Sequence, residues 1–441
     1  MKIKAQLITA LVLLSVTCVL AADWPQYYGP KRDGTSAEKG ILRSWPKEGP
    51  KVLWTAPVGI GYGGPVVSGG KVYLLDRNDK VGDNLRCLDF SSGRELWHFA
   101  YDAPGSFNHP GSRSTPTVDG EHVYTCGPLG DLYCISANAH KPVWHKNVWK
   151  DFGGSALPRW AITQNPLIYG SLLIVAAQTP QAGVVAYDKL TGELKWKSAV
   201  VAGEAGFISR QIGRLFGQSG NAGYVSPSIV KVGGEDHLVM ITAAAGSGRS
   251  ASGGSVTGID PLSGRALWSY GNWQCGIPVP HAVDAGEGRV LVTGGYSAGA
   301  AMIKVEKKTD GSYGVRELFK TPDFGAHTQP PILYRDHFYA QYTINERSDG
   351  MVCMSMSGQV KWKTGEDPAF VRGGSILVDG LLLSTDGDTM LYVIEPDPSR
   401  FKPLASARLL EPGENWAPLA LADGNLLIRD QKRLKCVRVA Q

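Results

Sequence analysis

The chain has 441 residues, including 55 glycines and 12 tryptophans, and only 19% of it is charged. That composition excludes a disordered or collagen-like chain and suits many short strands and tight turns, in one ring or in roughly two or three average domains. A formal charge of +5 with no basic stripe and no interleaved basic and aromatic residues excludes nucleic acid as a partner.

Residues 1–22 carry Lys2 and Lys4, then an apolar run, then small residues, the pattern of a signal peptide cut near Ala21 or Ala22. The apolar core is too short for a transmembrane anchor. Lipidation would use Cys18, but "SVTC" lacks the small residue expected before the cysteine. A periplasmic or secreted protein is expected. A turn-rich leader occupies 23–50, and 51–441 read as a single repeat domain.

The repeat appears first in "CLDFSSGRELW" (87–97), returns in "AYDKLTGELKW" (186–196) and "GIDPLSGRALW" (258–268), and has looser copies in "CISANAHKPVW" (134–144) and "CMSMSGQVKW" (353–362). Each is a strand, a turn and a strand closing on Trp97, Trp144, Trp196, Trp268 or Trp362. Strand pairs such as "GPVVSGGKVYLLD" (64–76) and "NPLIYGSLLIVAA" (165–177) precede these hairpins, giving four strands per unit of about 45 to 50 residues. Units starting at Pro65, Pro116, Pro166, Pro227, Pro278, Pro330, Ser375 and Pro418 make eight. The last has three strands, and "KVLWTAP" (51–57), with Trp54, supplies the fourth. The expectation is an all-β, eight-bladed β-propeller with four-stranded blades, closed by an N-terminal strand joining the C-terminal blade. Seven blades would result if residues 278–323 were an insertion.

The pattern A-x-D-x-x-T-G-x-x-x-W, met in full at Ala186, Asp188, Thr191, Gly192 and Trp196, resembles the tryptophan-docking repeat of pyrroloquinoline-quinone (PQQ)-type propellers. The opening "DWPQYYGPKRDGTS" further resembles the leader of exported PQQ-like repeat proteins. The resemblance covers about residues 50–440 and implies kinship with quinoprotein alcohol dehydrogenases and with the assembly lipoprotein BamB. In that reading the repeat tryptophans dock between blades. Asp89, Asp188 and Asp260 hold the turns beside Gly192 and Gly264 through local bonds. The dehydrogenases are marked by adjacent cysteines over the quinone and by acidic calcium ligands. Neither is found here, so PQQ is implied only by the family and the cofactor stays unknown.

Cys87, Cys134, Cys353 and Cys436 take the place of Ala186 and Gly258, as small buried residues of a crowded third strand. Cys126 and Cys134 could bridge one hairpin. His122, His140 and His237 fall at blade turns and are expected to be solvated.

Function is expected in the loops leading into the innermost strands. These carry Tyr62, His109, Arg113, Arg159, Trp160, Gln164, Tyr224, His281, His327, Gln329, Arg372 and Trp416, with carboxylates nearly absent. Arginine forks and aromatic faces suit an anionic small molecule or a glycan. His109, His281, His327 and Gln329 could instead converge on a metal, resembling propeller uronate lyases. An adaptor for envelope proteins, resembling BamB, is the third reading. Segments 200–223 and 343–350 are candidate lids or docking loops. A monomer is expected.

Overall fold

The computed structural model describes residues 23–199, 224–244, 253–344 and 347–441. The expected signal peptide and the 200–223 insertion lie outside them, as does part of the 343–350 segment. Eight sheets follow one another along the chain, and six of them have four antiparallel strands in sequential order. Blades 1 to 7 span 66–100, 117–147, 167–197, 228–270, 283–321, 332–363 and 375–408. Blade 8 joins 420–438 to Val52–Pro57, whose Trp54 pairs antiparallel with Cys436. The ring is thus an eight-bladed propeller closed by both ends of the chain. The weak unit around 278–323 is a true blade, although its innermost strand is only Val283–Asp284, five residues after Pro278. Among the described residues no helix is long and apolar enough to cross a membrane.

The repeat chemistry explains the outer ring. Asp188 Oδ1 accepts bonds from the Leu190 and Thr191 amides and from the Thr191 hydroxyl, which fixes the turn. The turn ends on Gly192 at φ +71°, where a Cβ would lie 2.8 Å from the Trp144 ring of the preceding blade. Only glycine leaves that room. The Trp144 indole then donates to Lys189 O at 3.0 Å, and Trp54 repeats the contact on Phe90 O at 2.8 Å. Asp89 and Asp260 hold their turns in the same way. In blade 5 Phe319 takes the tryptophan's place, packed on Gly358 of blade 6, and in blade 7 the matching position opposite Val393 holds Ala405.

Trp268 departs from this scheme. Its indole donates to His237 Nδ1 within the same blade, so His237 is buried rather than solvated. His140 takes the glycine's place in blade 2, and the Trp97 ring stacks on it at 4.7 Å. Cys87, Cys134, Cys353 and Cys436 each pair with the blade's aromatic residue, as Ala186 pairs with Trp196. Cys126 lies opposite Leu132 and Cys134 opposite Tyr124, and both thiols are free.

The leader does not stand apart from the ring. Trp24 bridges to Val67 of blade 1, and Thr35–Ser36 pairs in parallel with Leu377 and Val378, making blade 7 five-stranded. Ile41 then bridges to Ala440 beside blade 8. Between these anchors the chain crosses the central channel. Tyr28 donates to Pro330 O at 2.8 Å, and the Arg32 guanidinium donates to Asn165 O, Pro166 O and Pro227 O.

Candidate functional site

Every innermost strand runs away from its leading loop, so those loops gather at one mouth of the channel. There they enclose a cavity of about 170 Å³ whose floor includes Tyr27 of the leader. Nine of the twelve expected residues line it: Tyr62, His109, Arg113, Trp160, Tyr224, His327, Gln329, Arg372 and Trp416. Two aromatic walls face the space. Tyr62 and His109 pack against Trp416 at 5.4 Å each, while Trp160 meets Tyr224 at 5.4 Å and Tyr296 at 6.5 Å. Tyr296 in turn packs against His327 at 4.5 Å.

The polar groups divide into those spent on the fold and those left over. Arg113 donates to the carbonyls of Asn108, His109 and Gly111, so it holds its own loop. Burial lowers its pKa to about 10, which leaves it charged at neutral pH. Gln329 donates to Trp416 O and keeps a buried, unpartnered Oε1. Arg372 stacks over Trp416 with its guanidinium carbon 4.7 Å from the ring centre. Its buried Nε has no partner, and among the described residues no carboxylate pairs with it.

A carboxylate does stand at the edge of this site. Glu414 Oε2 accepts from the Tyr62 hydroxyl and lies 2.7 Å from His109 Nδ1. An ionised carboxylate only accepts, so Nδ1 carries the ring proton. Burial, and after it Glu414, push the Tyr62 hydroxyl well above its ordinary range and keep it a donor. His109 sits at φ +60°, a conformation uncommon for residues other than glycine.

Three expected residues lie elsewhere. Gln164 clasps both backbone groups of Ala176 inside blade 3. Arg159 is exposed, with its guanidinium over Trp160. His281 is buried beneath the leader, bonded to Arg32 O at 3.2 Å and edge-on to Tyr27 and Tyr28. His109, His281, His327 and Gln329 therefore do not converge. Among the described residues no group of three or more His, Cys, Asp or Glu could hold a metal ion. No two cysteines are adjacent in sequence, so the cysteine pair that marks the quinoprotein dehydrogenases has no counterpart here.

Sequence reasoning missed Tyr27, Tyr296 and Glu414. Glu414 lies two residues before Trp416, and Tyr296 lies in the turn between the second and third strands of blade 5. Tyr27 belongs to the leader, whose aromatic pair was the available signal.

A family profile described as outer membrane protein assembly factor BamB matches residues 36–227 and 81–364. No curated protein matches the chain in sequence. Among solved structures, a europium-containing methanol dehydrogenase is similar at TM-score 0.62 and 14% identity, over 94% of this chain and 89% of that one. The quinohemoprotein alcohol dehydrogenase of Comamonas testosteroni is similar at TM-score 0.62 and 13% identity, over 95% and 81%. At these identities the likeness shows the fold alone. BamB of Moraxella catarrhalis aligns at TM-score 0.38 with 13% identity, over 91% and 89% of the two chains, a likeness without weight.

Proposed function

Because this chain belongs to the repeat-propeller family whose profile is described as BamB, we propose that it acts outside the cytoplasm as a binding propeller, holding a small anionic molecule or an acidic glycan in its funnel. Arg372 carries this reading. It offers an uncompensated positive charge, stacked on Trp416, at the edge of a cavity walled by aromatic rings. Arg113 and the unpartnered Gln329 Oε1 add a second cation and an acceptor for a ligand hydroxyl.

The family description also supports a second reading, an adaptor for envelope proteins at the same face. Ile60 and Val371, exposed on the funnel-side loops, favour it. One titration separates the two. Glucuronate and a galacturonate trimer should quench tryptophan fluorescence while glucose does not, and Arg372→Met should weaken the acids about 10-fold or more. Equal responses to acid and neutral sugars, or no effect of Arg372→Met, would leave the adaptor reading in its place.

A further inference from the structure

The leader divides the channel, and the far mouth holds a separate cavity of about 590 Å³ between the leader and blades 3 to 6. The funnel takes none of its lining residues, and its polar groups are arranged differently. Three buried side chains on its wall each keep an atom without a partner: Arg32 Nε, Ser228 Oγ and His281 Nδ1. Their exposures are 8%, 3% and 4%. They are also neighbours, because Arg32 donates to Pro227 O just before Ser228, and His281 Nε2 meets Arg32 O.

Unpaired polar atoms at this depth are costly, so three at one cavity mark a place built for a polar guest. We propose that the far mouth is a second binding site, for a small hydroxylated acid such as a monomeric sugar acid.

The chemistry of the three groups defines that class. Arg32 is surrounded by neutral oxygens, namely three carbonyls and the Gln26 amide, so its charge is uncompensated and favours an anion. Its two Nη groups are spent on those oxygens, which leaves Nε for a single contact with an acid oxygen. The Ser228 hydroxyl can donate or accept. Burial lowers the His281 pKa to about 3, so the ring is neutral. With its Nε2 proton given to Arg32 O, Nδ1 is an acceptor and calls for a hydroxyl on the guest.

The charged groups nearby agree with this. Lys31 and Lys231 line the cavity with Asp33 and Asp284. Asp284 is occupied by the Lys231 and Gly286 amides, and Asp33 by Thr35. The Lys231 ammonium is held by Asp236. With Lys231 paired to Asp236, Arg32 and Lys31 stand against two lining carboxylates, Asp33 and Asp284, whose oxygens already accept backbone bonds.

Calorimetric titration of the chain without residues 1–22 tests the site, with glucuronate as the probe. The Arg372→Met background weakens the funnel, so its effect on total binding bears on the funnel reading alone. In that background, one glucuronate per chain is expected to remain bound. Ser228→Ala should weaken this site about 5- to 10-fold, and Arg32→Lys, which deletes Nε, by at least as much. Ser228→Ala removes a hydroxyl that bonds to nothing in the protein, so its melting temperature should equal or exceed the parent's. Absence of glucuronate binding in the Arg372→Met protein would overturn the proposal. So would binding that neither Ser228→Ala nor Arg32→Lys changes.

Discussion

The outer ring and the central channel of this propeller are built on opposite principles. On the outside one local solution recurs with variations: an Asp- or Ser-held turn, a glycine or His140 under the neighbouring ring, and an indole that in Trp54, Trp144 and Trp362 donates to the next turn. Inside, nothing repeats. The Arg32 guanidinium takes carbonyls from the loops before blades 3 and 4, Tyr28 reaches the loop before blade 6, and the funnel assembles rings from seven blades and the leader. Repetition supplies stability, and the unrepeated interior is left free to differ for chemistry.

The largest effect that sharpens this contrast is expected at the ring closure. Trp54→Ala removes a buried indole and its bond to Phe90 O, and should lower stability by about 4 kcal/mol in urea unfolding. A loss near 1 kcal/mol would mean that closure does not depend on docking.

The channel should instead show itself through pH. Burial holds the folded His281 near pKa 3, against about 6.5 when unfolded. Between those values the unfolded chain binds more protons, so stability should rise with pH across this window and be lost as pH falls from about 6.5 to 3. His281→Gln keeps a donor for Arg32 O without titrating, and should flatten that part of a pH series of melting temperatures. An unchanged slope would place the acid sensitivity elsewhere.

The smallest effect is expected at a copied position. Cys134→Ala, taking the residue that blade 3 already uses at Ala186, should cost about 1 kcal/mol or less by the same urea measurement.

This contrast also governs how much could be read in advance. Blade number, closure by Trp54 and the role of the cysteines follow from short patterns that recur, so each copy checks the others. Blade 5 strained that logic because Phe319 replaces tryptophan, and its first strand starts later than Pro278 suggests. Nine funnel residues were legible because loops leading into innermost strands must converge. Gln164 and His281 were misplaced because the same loops also spend polar side chains on the backbone and on the leader. The leader's path was not legible at all. Arg32 finds its carbonyl partners more than 130 residues away, and no local pattern encodes such a meeting.

The composite eighth blade bears on the order of folding. Trp54 and Cys436 pair across about 380 residues of sequence, so this contact closes a loop nearly as long as the protein. As the chain is made, blades 1 to 7 can form in turn, while Val52–Pro57 waits without its partner until the last strand has emerged. Throughout that interval the ring has an open edge, and the chain's exposure to aggregation is set by how soon its two ends meet.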